Sequence, residues 1–128
     1  MLSDHAALPS LAVSDLEKAR EFYEGTLKFV ANDGSPEGVV YPAGQGGFLV
    51  YQSSFAGTNK ATAISFQVGD AFDAEIAELR AAGITFQTFD VPAEYGTWSD
   101  DILVSEAMRA AWFSDPDGNI INLETGGA

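Results

Sequence analysis

The sequence predicts an α+β fold in which two halves repeat one strand–helix–strand unit. Three features carry that reading: a strand running into a one-sided helix near the N-terminus, the same succession in the second half, and a turn-linked strand pair at the C-terminus. Residues 8–13 read as a strand, and Ser14-Asp15-Leu16-Glu17 sets Ser14 as a helix cap with Glu17 reaching back to it. Leu16, Ala19, Phe22 and Tyr23 fall three and four apart on one helix face, and Gly25 offers a left-handed stop. Two or three short strands follow, at about residues 29–32, 38–41 and 48–52, separated by Asp33-Gly34-Ser35-Pro36 and by a glycine cluster. Residues 53–60 are polar and glycine-containing, the best internal boundary in the chain.

The pattern then returns. Residues 61–68 read as a strand, Asp70 as a cap, and Phe72, Ile76 and Leu79 as a helical stripe closed by Gly83. Residues 84–90 form the next expected strand. Residues 90–106 show no clean period, and that length exceeds the usual connection of about five residues. Irregular segments of this kind commonly carry binding residues. The last two strands, residues 108–114 and 119–125, are joined by Asp115-Pro116-Asp117-Gly118, with Pro and Gly where a tight turn wants them.

Composition narrows the function. A chain of 128 residues, 46% hydrophobic, supports one real core and not a second full domain. Its formal charge of -13 repels phosphate backbones and anionic lipid, so neither nucleic acid nor membrane is an expected partner. Cys is absent, which removes disulfides, thiolate metal sites and cysteine nucleophiles. No stretch approaches the apolar length that spans a bilayer, and the first residues lack an export pattern, so the expected location is the cytoplasm. Asp115 to Asn119 begins like an acidic calcium loop, but Gly126 stands where the twelfth-position Glu is required.

Three stretches together resemble the vicinal oxygen chelate superfamily, which includes glyoxalases, bleomycin-resistance proteins, fosfomycin-resistance enzymes and extradiol dioxygenases. They are the strand-to-helix passage Leu11-Ala12-Val13-Ser14-Asp15-Leu16-Glu17-Lys18-Ala19-Arg20-Glu21-Phe22-Tyr23, the repeated corner Phe66-Gln67-Val68-Gly69-Asp70, and Phe113-Ser114-Asp115-Pro116-Asp117-Gly118-Asn119. The resemblance implies two βαβββ modules, about 6–55 and 60–126, in a single domain spanning 1–128, with curled mixed sheets forming a shared cavity and a homodimer as the assembly. It further implies that metal-using members carry ligands at the positions of Leu8, Ala63 and Asn122, none of which is a strong ligand here. His5 is the single histidine, so no metal and no cofactor is expected.

Strand parity then selects candidate ligand contacts. Ser65 and Gln67 share one face of their strand, as do Ile120, Asn122 and Glu124 of theirs, and these small and polar sets are expected to line the cavity. Counting across the last turn brings Arg109 beside Glu124, as a polar anchor or an ordinary ion pair. Tyr95 and Trp98 flank Gly96 with the composition expected of an aromatic clamp, and at most one of Trp112 and Phe113 is expected to line the cavity. The expected function is metal-free binding or sequestration of a small, apolar or aromatic organic molecule. One alternative is a metal-independent lyase or isomerase using Glu94, Glu124, Asp90 or Tyr95 as proton carriers, with no catalytic residue assigned. The other is a non-catalytic structural or interaction subunit.

Overall fold

A computed structural model describes residues 1–32, 34, 36 and 38–126. The chain forms two compact units, Met1–Lys60 with Asp115–Asn119, and Ala61–Ser114 with Ile120–Ala128. Among the described residues no helix is long and apolar enough to cross a membrane.

In the first unit, strand β1 (Ser10–Val13) leads into helix α1 (Leu16–Arg20), and strands β2 (Gly38–Ala43) and β3 (Gly46–Gln52) follow. β3 is central, parallel to β1 and antiparallel to β2. Alternation works as the sequence implies: Leu11, Val13, Val39, Tyr41, Phe48 and Val50 are buried on one side, with Leu16, Ala19 and Tyr23 of the helix segment also buried. The rings of Tyr23, Tyr41, Phe29 and Phe48 pack against one another at 5.1–6.0 Å.

Local detail departs from expectation at both helix ends. Asp15, not Ser14, caps α1, its carboxylate accepting from the Lys18 N–H, and the Ser14 N–H that Glu17 was expected to reach donates to Asp117 instead. The helix also runs past Gly25. A wider π-type turn over Glu21–Thr26 carries it on, closed by the Leu27 N–H on the Phe22 carbonyl, and Lys28 takes the left-handed conformation at φ 67°. Residues 29–32 consequently form no strand; Asn32 donates one backbone bond to Val40. The expected turn at Asp33 to Pro36 lies partly outside the described residues.

The second unit contains β4 (Thr62–Gln67), α2 (Phe72–Ala81), β5 (Thr97–Ser99), β6 (Ile102–Val104), β7 (Arg109–Ser114) and β8 (Ile120–Glu124). Its sheet runs β4-β8-β7-β6-β5, with β4 and β8 parallel and the rest antiparallel. Asp70 does not cap α2; a one-turn 3-10 segment at Gly69–Ala71 feeds the helix without a side-chain cap. Residues 84–90 reduce to one bridge, Gln87 to Trp112. Residues 90–106, without a period in the sequence, hold the β5–β6 hairpin, whose two-residue turn places Asp100 and Asp101 at φ 53° and 63°, the paired left-handed geometry of a tight hairpin.

The expectation of curled sheets is not met. Both sheets have a linear strand order, β1-β3-β2 and β4-β8-β7-β6-β5, and neither is curled or closed. Closure requires the terminal strands of a sheet to pair. Among the described residues, neither 29–32 nor 84–90 forms the strand expected between the helix of its unit and the following hairpin.

The turn 115–119, grouped with the first unit, organises a buried polar cluster. Asp115 is 5% exposed; its carboxylate accepts from the Tyr23 hydroxyl at 2.7 Å, the Asp117 and Asn119 N–H groups at 2.9 Å each, and Asn119 Nδ2 at 2.8 Å. Asn119 Nδ2 also donates to the Ala12 carbonyl of β1. Burial, then the charge of Asp115, pushes the Tyr23 phenol well above its ordinary value of 10.0, and burial, then the hydrogen bond to Glu24, raises Tyr41.

This cluster predicts alkaline lability. Above about pH 10 the unfolded chain releases phenolic protons that the folded chain keeps, so the unfolded state binds fewer protons and stability falls as pH rises. The expected slope is about 1.4 kcal/mol per pH unit for each such tyrosine. Urea denaturation across this range should show a shallower decline for Tyr23→Phe than for the parent, and equal slopes would remove Tyr23 from the account.

Candidate functional site

Hydrogen-bonded partners on neighbouring strands point to the same side of a sheet, so register fixes the two faces of the second sheet. One face carries Ile64, Phe66, Ala111, Phe113, Ile121 and Leu123. This is the helix side: Arg109, which shares it, lies over the Phe72 ring and pairs with Asp73 of α2. The opposite face, open in the sense that α2 packs on the other side, presents two rows, with Ser65 and Gln67 exposed and Leu103, Ala110 and Asn122 buried. Gln67, Glu124, Ala110, Leu103 and Trp98 form one, and Ser65, Asn122 and Trp112 form the other.

The open face gathers an aromatic cluster. Phe89 packs against Trp98 at 5.3 Å and Trp112 at 4.9 Å, and the two indoles lie 5.9 Å apart, every pair steeply inclined. Trp98 Nε1 donates to the Phe89 carbonyl at 3.0 Å, and Trp112 Nε1 to Thr62 Oγ1 at 3.2 Å. Those bonds fix the rings while Phe89 stays 44% exposed. Around them, Gln67 Nε2 donates to Glu124 at 3.4 Å, and Ser114 donates to Gln87 at 2.7 Å. Asn122 is 3% exposed and spends its amide hydrogens on the Ala111 and Leu123 carbonyls.

The structure thus brings Ser65, Gln67, Trp98, Asn122 and Glu124 onto one face and leaves two candidates elsewhere. Arg109 is not beside Glu124: Ala110 takes that place, and Arg109 turns to the helix side, where its hydrogen bond holds Asp73 below the ordinary carboxylate range. The reason is a five-residue loop. Asp115 and Asn119 bond to each other through backbone and side chain, drawing Asn119 out of the strand and shifting the register by one residue. Tyr95 is 60% exposed on the 3-10 turn Ala93–Tyr95, and among the described residues the ring neighbours of Trp98 are Phe89 and Trp112.

Phe89 is the member that sequence reading missed, hidden at the end of an expected strand. The signal for Trp112 was its even spacing with Ala110 and Ser114, which becomes useful only once the register is known. Gly96 fixes where β5 begins: at φ 135° and ψ −170° it occupies backbone space reserved for glycine, and a Cβ there would sit 2.5 Å from the Val104 carbonyl oxygen. Gly96→Ala should destabilise by about 2 kcal/mol and perturb Trp98 emission. An unchanged urea midpoint with unchanged emission would contradict it.

A sequence profile of the Glyoxalase/Bleomycin resistance protein/Dioxygenase superfamily matches residues 3–123. The chain belongs to this superfamily. Solved structures agree on the fold of this superfamily member. A glyoxalase/bleomycin resistance protein/dioxygenase from Alicyclobacillus acidocaldarius aligns with TM-score 0.71 at 14% identity, covering 94% of this chain and 90% of that one. The fosfomycin resistance protein FosX from Mesorhizobium loti aligns with TM-score 0.67 at 18% identity, covering 97% and 93%. No curated protein matches the chain in sequence.

Metal-using members of the glyoxalase/bleomycin resistance superfamily raise the question of a metal, and the residues here do not fit one. Leu8 is an alkyl side chain, 47% exposed, ahead of β1. Ala63 sits at the register irregularity of β4 and offers no lone pair, and Asn122 is a neutral amide already bonded to two carbonyls. Among the described residues no three His, Cys, Asp or Glu side chains are placed to hold a metal ion.

Proposed function

We propose that this protein binds or sequesters a small organic molecule without a metal, and that the ligand lies on the open face of the β4–β8 sheet. The observation that carries the reading is the cluster of Phe89, Trp98 and Trp112 on the face opposite α2, with Ser65, Gln67, Asn122 and Glu124 beside it. Rigid aromatic surface supplies contact area at low conformational cost, and a few polar groups orient what lands on it. The donor set at Leu8, Ala63 and Asn122 favours a ligand held by these contacts rather than through metal coordination.

Intact-complex mass spectrometry on gently purified protein tests this. The expected result is an added organic mass at one per chain, released on denaturation. A stoichiometric metal mass instead would defeat the metal-free reading. Both tryptophans of the chain lie on this face, so indole emission reports its occupancy; a retained ligand whose removal leaves emission unchanged would place the site elsewhere.

The assembly we propose is a homodimer. Each sheet ends in edge strands, β1 and β2 in one and β4 and β5 in the other, and such edges favour coverage by another chain. Light scattering at micromolar concentration should give about twice the chain mass of 13.5 kDa. A monomer throughout that range would defeat the dimer and leave the ligand reading standing.

A further inference from the structure

We propose that the open face of the second sheet selects an aromatic organic cation over neutral or anionic molecules of the same shape; this rests on the reading of that face as a small-molecule site. The first support is the distribution of charge. The second unit has two basic residues, Arg80 and Arg109, far outnumbered by Asp and Glu. Both are committed to the helix side. Arg109 lies 4.8 Å from the Phe72 ring centroid and bonds Asp73, while Arg80 lies 5.6 Å from the centroid of Phe86, itself packed on Phe113, and bonds the carboxylate and carbonyl of Asp100. Neither arginine offers the open face a positive charge.

The second support is that the indole donors an anion could use are spent. Trp98 Nε1 and Trp112 Nε1 donate within the protein, which leaves the indoles their π surfaces to offer. Interplanar angles of 66–79° keep the three rings from stacking face to face. An aromatic face carries the negative end of its quadrupole and attracts a cation laid over it.

The third support is Glu124. Trp112 pairs with Asn122 and Ala110 with Glu124, so Glu124 is the diagonal neighbour of Trp112 on the same face, roughly 7–8 Å away along the backbone. Gln67 steadies its carboxylate. A planar cation spanning Trp112 toward Glu124 meets a ring face and a counter-charge together, whereas an anion meets the carboxylate alone.

Three acridine probes that differ in charge test the inference by calorimetry near neutral pH: N-methylacridinium, acridine, and acridine-9-carboxylate. N-methylacridinium should bind about tenfold tighter than either of the others, the scale of a partly desolvated cation–π contact with a nearby carboxylate. Glu124→Gln should cut that preference by about threefold or more, while Glu78→Gln on α2, which removes the same charge from the helix side, should leave it within about twofold. Equal binding of the three probes, or equal loss from both Glu variants, would overturn the selectivity and attribute any preference to the acidic protein as a whole. Trp112→Ala separates this failure from the failure of the site: if some probe binds and Trp112→Ala weakens it, the face remains a binding site without charge preference. If no probe binds, or binding ignores Trp112, both readings fall. The two Glu variants decide the selectivity even where Trp112→Ala does not fold, and Trp112→Phe then tests the site.

Discussion

Asp115→Ala is expected to lower folding stability by about 3–5 kcal/mol. The substitution removes an acceptor that holds the Tyr23 hydroxyl, the Asp117 and Asn119 N–H groups and Asn119 Nδ2. Tyr23 is 1% exposed, so its hydroxyl would lose its partner where water has little access. Each such orphaned group costs about 1–3 kcal/mol, and Ala has no atom with which to answer any of them. Asp115→Asn should fall between Ala and the parent, because an amide keeps one acceptor but turns a donor toward other donors. Urea denaturation followed by far-UV circular dichroism is the measurement, since the tryptophans lie in the other unit. A loss below about 1 kcal/mol would show that the cluster contributes no more than a typical exposed polar contact.

Ligand affinity is expected to fall by about 2–4 kcal/mol, roughly 30-fold or more, when Trp98 or Trp112 is replaced by Ala. Each indole is an anchor of the cluster, and removing one withdraws ring surface and a fixed hydrogen bond at once. Tyr95→Ala should change affinity much less, because Tyr95 lies exposed on a turn and offers a rim contact at most. Calorimetry with the retained ligand, on variants shown to keep their secondary structure, gives the comparison. Binding by both tryptophan variants within about twofold of the parent, roughly 0.4 kcal/mol, would show that the ligand sits elsewhere.

The candidate site was half legible in the sequence. Parity within a strand placed Ser65 with Gln67 and Asn122 with Glu124, and the structure places these pairs on one face. Trp98 was singled out for its composition and does lie on that face, although on a hairpin strand and not in an irregular loop. The Asp100-Asp101 turn gives little sequence signal because Asp tolerates left-handed backbone less often than the Asn-Gly pairs that mark such hairpins. The strands expected at residues 29–32 and 84–90 failed for a different reason. Apolar content suggested them, but strand formation needs a partner in register, and only one bridge, at Gln87, was satisfied in the second of them.

By itself the sequence determined what is local: the buried faces of β1 and α1, the stop of α2 at Gly83 with φ 92°, the existence of a tight turn after Ser114 though not its five-residue length, and a family pattern without strong ligands at its metal positions. Only the tertiary structure decided which side of the second sheet Arg109 faces and which rings meet Trp98. Both depend on register. Side chains in a strand alternate with a period of two, so the one residue that Asp115 draws into the turn by bonding Asn119 reverses the side on which Arg109 meets its neighbours, and no pattern read along a single strand contains that information.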